Sequence, residues 1–181
     1  FRRVLFRSFS LRGTDFYNIT DILRDFEIII KGLFGAVGTN DQYMNYIADI
    51  MLEPQYRDFK IILTGHSAGG SIMLGILLAL GKIHPELLDK IEGGYFYNPY
   101  IPFHESFTKK QGSEPIFAYL KHETKAKLKS LIHIYNIEGD YLSGFYFPSE
   151  LAEINITPKK IESRFGPYDE HTINNFLSHG D

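Results

Sequence analysis

The sequence predicts an α/β fold with a mainly parallel sheet flanked by helices. Short apolar segments bounded by Gly, Pro or polar turns are typical of buried strands. They alternate along the chain with segments whose apolar residues recur every three or four positions, which is typical of helices. Strands that alternate with helices form βαβ units, and the active sites of such folds lie at the carboxyl ends of the strands. No internal repeat or low-complexity linker interrupts the 181 residues, so we expect one domain.

The first eight residues, Phe-Arg-Arg-Val-Leu-Phe-Arg-Ser, look like the conceptual translation of a sequencing adaptor. We therefore interpret residues 1–8 as a non-native artefact and residues 9–181 as the domain. This interpretation predicts that the chain is truncated and that N-terminal elements of a longer gene product precede Phe9. The alternative is a genuine basic strand, in which Val4, Leu5 and Phe6 pair with a neighbouring strand.

The individual elements follow from periodicity and from the residues that end each segment. Asn40 to Leu52 is predicted as an amphipathic helix that Pro54 ends. Its apolar stripe comprises Tyr43, Tyr46, Ile47, Ile50 and Met51. Further helices are predicted over 69–83, 85–90, 119–129 and 169–177, and strands over 9–12, 59–63, 95–97 and 131–137. Residues 19–31 fit either a short helix or a strand.

Composition excludes several classes of function. With 44% hydrophobic residues, 23% charged residues and a formal net charge of -3, nothing indicates a general attraction to nucleic acid. The chain has no cysteine, which excludes disulfides, thiolate zinc sites and a cysteine nucleophile but leaves the compartment open. The longest apolar run, Ile72 to Leu80, is about half of the roughly 20 residues that a membrane-spanning helix needs. We expect no transmembrane segment.

The most informative stretch is "KIILTGHSAGGSIML", residues 60–74, in which a Gly-His-Ser-Ala-Gly turn joins an apolar strand to an apolar helix. A nucleophile elbow requires this context, because its serine occupies a turn too sharp for larger neighbours. Gly65 and Gly69 would remove side chains that collide across the turn. Ser67 is therefore the candidate nucleophile, and the amide of Ala68 is a candidate oxyanion donor. The plainer interpretation is a glycine-rich bend with an incidental serine.

A serine nucleophile requires a histidine base and a carboxylate that orients it, both later in the chain in this kind of fold. His104 and His171 follow strand ends or open a helix, whereas His179 lies two residues from the terminus, where fraying makes positioning poor. We favour His171. The remaining histidines are interpreted as structural or surface residues. Asp140 follows the strand "LIHIYNIEGD" and is the favoured acid, although a plain Gly-Asp turn is the alternative.

Four stretches in this order resemble the class 3 lipase family, the fungal-type triacylglycerol lipases of the α/β-hydrolase fold, and lipase-like proteins of large DNA viruses. They are "LRGTDFYNITDILRDF", "LTGHSAGGSI", "HIYNIEGDYLS" and "HTINNFL". The resemblance spans nearly all of residues 9–177, and only the elbow and the Arg-Gly-Thr segment are individually specific. Two positions depart from the family pattern, since Ala68 replaces a leucine and Leu11 replaces a phenylalanine.

The resemblance implies an ester hydrolase that uses an acyl-enzyme. Ser67 would be the nucleophile, Asp140 the acid and His171 the base, with Thr14 and Ala68 as oxyanion donors and Gly65, His66 and Gly69 as supports of the elbow. It implies a lipid or small ester substrate, transient contact with a lipid surface, and no metal or organic cofactor. A catalytically silent binding or scaffold module of the same fold, and a peptidase or thioesterase with the same triad, remain alternatives.

Overall fold

A computed structural model describes residues 5–11, 39–99, 120–140, 157 and 159–162 of the chain. Its strands are β1 (Leu5–Leu11), β2 (Phe59–His66), β3 (Ile91–Tyr97), β4 (Ile132–Ile137) and β5 (Lys159–Ile161). Its α-helices are α1 (Thr39–Leu52), α2 (Ser67–Ile83) and α3 (His122–Leu131), and short 3₁₀ helices span Pro54–Tyr56 and Pro85–Lys90. The predicted segments at 19–31 and 169–177 lie outside the described residues.

The five strands form one sheet in which every described pair is parallel and the spatial order follows the chain order. A sheet that grows in one direction by right-handed crossovers receives its connecting helices on the same face. Accordingly, α2 packs against both β2 and β3, while α1 and α3 each contact α2. The fold is an α/β fold, as the sequence predicts.

The core lies between this helical layer and one face of the sheet. Alternation along the strands directs Leu63 of β2, Phe96 of β3 and Ile134 of β4 into it, and all three are buried. From α2, Leu77 reaches Gly94, whose added Cβ would lie 2.8 Å from a Leu77 methyl. The helix is apolar around most of its circumference because it is surrounded by the sheet, α1 and α3.

The opposite face of the sheet carries a row of aromatic and polar side chains that are half-buried. Tyr95 stacks on His133 with ring centroids 4.9 Å apart, and Tyr97 stacks on Tyr135 at 5.3 Å. Both contacts join residues that are directly paired in the β3–β4 register. Lys159 of β5 continues the row, with its Nζ 5.4 Å from the centre of the Tyr135 ring.

The described elements correct several details of the sequence prediction. The apolar stripe of α1 is predicted in part: Ile47 and Met51 are buried, whereas Tyr46 is 63% exposed and Met44 and Ala48 are buried instead. Strand β2 continues three residues beyond Leu63 to His66, and β5 was not predicted. Strand β1 includes Leu5, which matches the strand alternative for the N-terminal residues; their origin as adaptor sequence stays a prediction.

None of the helices in the described residues is both long and apolar enough to cross a bilayer.

Candidate active site

Ser67 lies at the junction of strand β2 and the buried helix α2. His66 is the last strand residue, with extended φ and ψ of -118° and 143°, and α2 begins immediately at Ser67. Ser67 has a φ of 55°, in the left-handed region that non-glycine residues seldom occupy. Its side chain is only 2% exposed. The strand-to-helix turn therefore has the sharpness and the strained serine that a nucleophile elbow requires.

The glycines around Ser67 permit this turn because the backbone of β2 approaches the first turn of α2 closely. A Cβ placed on Gly65 would lie 2.5 Å from the carbonyl oxygen of Gly69. A Cβ on Gly70 would lie 2.9 Å from the carbonyl oxygen of Gly65. Both contacts are with backbone atoms, which cannot rotate away as a side-chain end can. Gly65 thus has the packing role that the sequence predicts; Gly69 contributes its backbone to the contact.

The amino end of α2 offers backbone donors beside the Ser67 hydroxyl. Ala68 is the second residue of the helix, so its N–H is among the first four amides, which have no acceptor within the helix. The side chain of His66 does not cap the helix. Ser71, also buried, donates its hydroxyl to the Ser67 carbonyl over 3.2 Å and so supports the residue's backbone. An anion that forms near Ser67 would face the positive end of the helix dipole.

Asp140 follows β4 and is buried, with 2% of its surface exposed. A tight turn places it there: the Asp140 amide donates to the Ile137 carbonyl over 3.2 Å, and Gly139 has a φ of 91° that favours glycine. Ser67 and Asp140 thus follow two parallel strands, β2 and β4, that are separated by β3 alone. Two strand spacings are about 10 Å, so the ends of the strands that precede Ser67 and Asp140 lie about that far apart.

Asn98 is a site residue that the sequence analysis did not select. It follows β3, between the ends of β2 and β4, and is fully buried at 0% exposure. Among the described residues, the non-glycine positions with positive φ are Ser67 and Asn98, whose φ is 42°. The available signal was the Asn-Pro pair after the strand, since Asn tolerates the left-handed region and Pro cannot continue a strand ladder.

Three histidines that the sequence assigns to structural or surface positions fall within the described residues. His84 lies at the far end of α2 and its Nδ1 is 3.2 Å from a Glu86 carboxylate oxygen. His122 is exposed at the start of α3. Burial, with a smaller effect of the Lys159 charge, lowers the pKa of His133 below its usual value of 6.5.

The other predicted site residues cannot be placed by the structure. His171, the favoured base, and Thr14, the second oxyanion donor, lie outside the described residues, as do His104 and His179. Within the described ranges, no group of three or more His, Cys, Asp or Glu side chains is arranged to hold a metal ion.

No protein-family model matches this chain, and no curated protein matches it significantly. Among solved structures, a Bacillus subtilis protein described as a "putative hydrolase" is similar, with a TM-score of 0.47 and 14% sequence identity over 98% of this chain and 83% of that chain. At this level of similarity, the comparison carries no argument about function.

Proposed function

We propose that the chain is a serine hydrolase in which Ser67 is the nucleophile. The observation that carries this proposal is the left-handed backbone of Ser67 at the strand-to-helix turn. A non-glycine residue in that region costs about 1–2 kcal/mol, and glycine would occupy the same position without the cost. Strain of this kind is concentrated at functional sites, where it holds a reactive group in a fixed orientation.

The proposed reaction is cleavage of a carboxylic ester through an acyl-enzyme. The Ser67 oxygen attacks the ester carbonyl while His171 accepts the hydroxyl proton, which it then gives to the departing alcohol. Water deprotonated by the same imidazole releases the acid and restores the serine. Asp140 holds the imidazole in the required tautomer, and its burial in a tight turn supports this role.

The oxyanion would be bound by the Ala68 amide and by Thr14. The position of Ala68 at the start of α2 supports its part, and Thr14 rests on the sequence resemblance. Loss of one such donor commonly raises the barrier by about 3–4 kcal/mol. The proposed reaction uses neither a metal ion nor an organic cofactor.

The substrate class within this proposal is an acyl lipid or a small ester. It rests on the resemblance of the four sequence stretches to class 3 lipases, which also suggests transient contact with a lipid surface. Esters, thioesters and amides all pass through a tetrahedral oxyanion. The described geometry therefore supports acyl transfer to Ser67, but it does not distinguish an alcohol, a thiol or an amine as the leaving group. A panel of matched ester, thioester and amide substrates would separate them.

The first experiment compares Ser67→Ala with Ser130→Ala on a short-chain nitrophenyl ester. Ser130 is an exposed serine on α3, far along the chain from the elbow, and is the matched control. We expect Ser67→Ala to lose turnover by about 10⁴-fold or more, with an unchanged circular dichroism spectrum, and Ser130→Ala to retain it. Undiminished turnover in Ser67→Ala would disprove the proposal.

A fluorophosphonate probe provides an independent readout of the nucleophile. We expect mass spectrometry to find the probe on Ser67 and on no other residue. If folded protein were neither labelled nor able to turn over any member of the panel, the silent binding or scaffold module would be the better description.

A further inference from the structure

The carboxyl end of β3 is joined to the end of β4 by two hydrogen bonds from one buried residue, Asn98. Its backbone N–H donates to the Tyr135 carbonyl over 2.8 Å, and its side-chain Oδ1 accepts from the Ile137 amide over 2.8 Å. The last paired residues of the two strands are Tyr97 and Tyr135. The Asn98 side chain therefore extends the pairing by one step beyond the point where the β3 backbone ends.

The backbone of β3 cannot provide this second bond itself. In a continuing parallel ladder the Ile137 amide would donate to the backbone carbonyl of Asn98, but Asn98 has already turned into the left-handed region with a φ of 42° and has left the strand conformation. A buried amide without an acceptor is costly. The Asn98 side chain supplies the missing acceptor to Ile137, and Asn is among the few residues that combine such an acceptor with tolerance of the left-handed backbone.

Ile137 is the residue from which the turn carrying Asp140 begins. Its carbonyl accepts from the Asp140 amide over 3.2 Å, so a displacement of Ile137 would displace Asp140. On the other side of β4, Glu138 donates its amide to the Ile161 carbonyl over 2.8 Å. The base of the turn is thus held from both neighbouring strands, from β3 by Asn98 and from β5 by Ile161.

Pro99, the residue after Asn98, also contacts helix α2, which begins at Ser67. A Cβ placed on Gly70, in the first turn of α2, would lie 3.4 Å from the Cβ of Pro99. The Asn98-Pro99 pair therefore packs against the amino end of α2 on one side and holds the end of β4 on the other. It is a direct link between the two elements that present Ser67 and Asp140.

We propose that Asn98 is a positioning residue, which fixes Asp140 relative to Ser67 by accepting a hydrogen bond from Ile137. The inference rests on the proposed hydrolase function and deepens it, because it names a residue that acts through the acid of the triad. Asn98 need not touch the substrate. Its loss affects the reaction by allowing the carboxylate to move relative to the imidazole that it orients.

The test separates the acceptor of Asn98 from its backbone conformation. Asn98→Gly keeps the left-handed backbone and removes the acceptor, whereas Asn98→Asp keeps an acceptor oxygen at the same position. We expect the Ile137 amide to exchange with deuterium about tenfold faster or more in Asn98→Gly, and close to the parent rate in Asn98→Asp. Parent-like exchange in Asn98→Gly would overturn the proposed hydrogen bond.

Kinetics then show whether the hydrogen bond acts through Asp140. We expect Asn98→Gly to lower kcat by about 10- to 100-fold with KM within about twofold of the parent. In an Asp140→Ala background, the same change should alter kcat by less than about twofold, because the positioned group is gone. An equal loss of kcat in both backgrounds, or unchanged kcat in Asn98→Gly, would contradict the positioning role.

A milder variant completes the design. Asn98→Ser shortens the side chain but keeps a polar group, and it replaces Asn98→Gly in both measurements if the glycine variant is too unstable to purify. Failure of the proposed function is distinguishable, since it appears as turnover that survives Ser67→Ala. Failure of the positioning role leaves that turnover dependent on Ser67 and insensitive to Asn98.

Discussion

Ser67, the proposed nucleophile, combines a strained backbone conformation with a buried position. Its backbone occupies the left-handed region, and the glycines around it allow β2 and α2 to approach within a distance that excludes a Cβ. Glycine would fit the same backbone without strain, so the left-handed conformation of a serine at that point is a cost to folding. The serine is therefore expected to reduce stability and to be kept for its hydroxyl.

We predict that Ser67→Gly stabilises the protein while abolishing turnover. Relief of left-handed strain is worth about 1–2 kcal/mol, and the added flexibility of glycine in the unfolded chain removes about 0.5–1 kcal/mol of that gain. Urea unfolding should show the net increase. Ala79→Gly is the control, since Ala79 lies in the interior of α2. A glycine at that position should lower the free energy of unfolding by about 1 kcal/mol. Equal destabilisation by both changes would contradict the strain argument.

The sequence was most informative about residues that have a conformational requirement. Gly65 and Gly69 on either side of Ser67 predict a sharp turn because few other residues fit one. Asn98 was missed because its hydrogen bond to Ile137 forms only when the end of β3 lies next to a residue 39 positions further along the chain. No local pattern encodes such a contact.

At the scale of elements, α2 organises the described part of the fold. It contacts β1, β2, β3, α1 and α3, so nearly every side of the helix is covered. The sequence predicted this correctly from an apolar run without a polar face. The buried face of α1 was predicted in part: Ile47 and Met51 are buried, but Tyr46 was assigned to the apolar stripe in place of Met44 and Ala48. A tyrosine fits either face, and only the position of α2 decides between them.

We predict that Leu77→Ala destabilises the protein by about 2–5 kcal/mol, measured by urea unfolding. Leu77 is fully buried in α2 and packs over Gly94 of β3, which has no side chain to fill a cavity left there. The matched control is Leu52→Ala at the end of α1, where the leucine is 61% exposed and the expected change is within about 0.5 kcal/mol. Similar losses for the two variants would show that α2 is not central to the core.

At the scale of the whole molecule, the two faces of the sheet are of different character. The face under the described helices is a continuous apolar core, whereas the other carries stacked Tyr and His side chains and Lys159. The sequence predicted a mainly parallel sheet from alternating segments. It did not predict the sequential strand order. It also missed the short strand β5, because three residues carry too little periodicity to be recognised.

The aromatic face gives the molecule a predicted response to pH through His133. Burial lowers the pKa of this imidazole below 6.5, with the Lys159 charge adding to the effect. The unfolded chain therefore binds the proton more readily, so the stability contributed above about pH 6.5 is lost as the pH falls toward the lowered value. His133→Phe keeps a ring against Tyr95 and removes the titration, so its melting temperature should fall less than the parent's between pH 7.5 and pH 5.5. His122→Gln, at an exposed position of α3, should respond like the parent. An identical fall in His133→Phe and the parent would exclude His133 as a source of acid sensitivity.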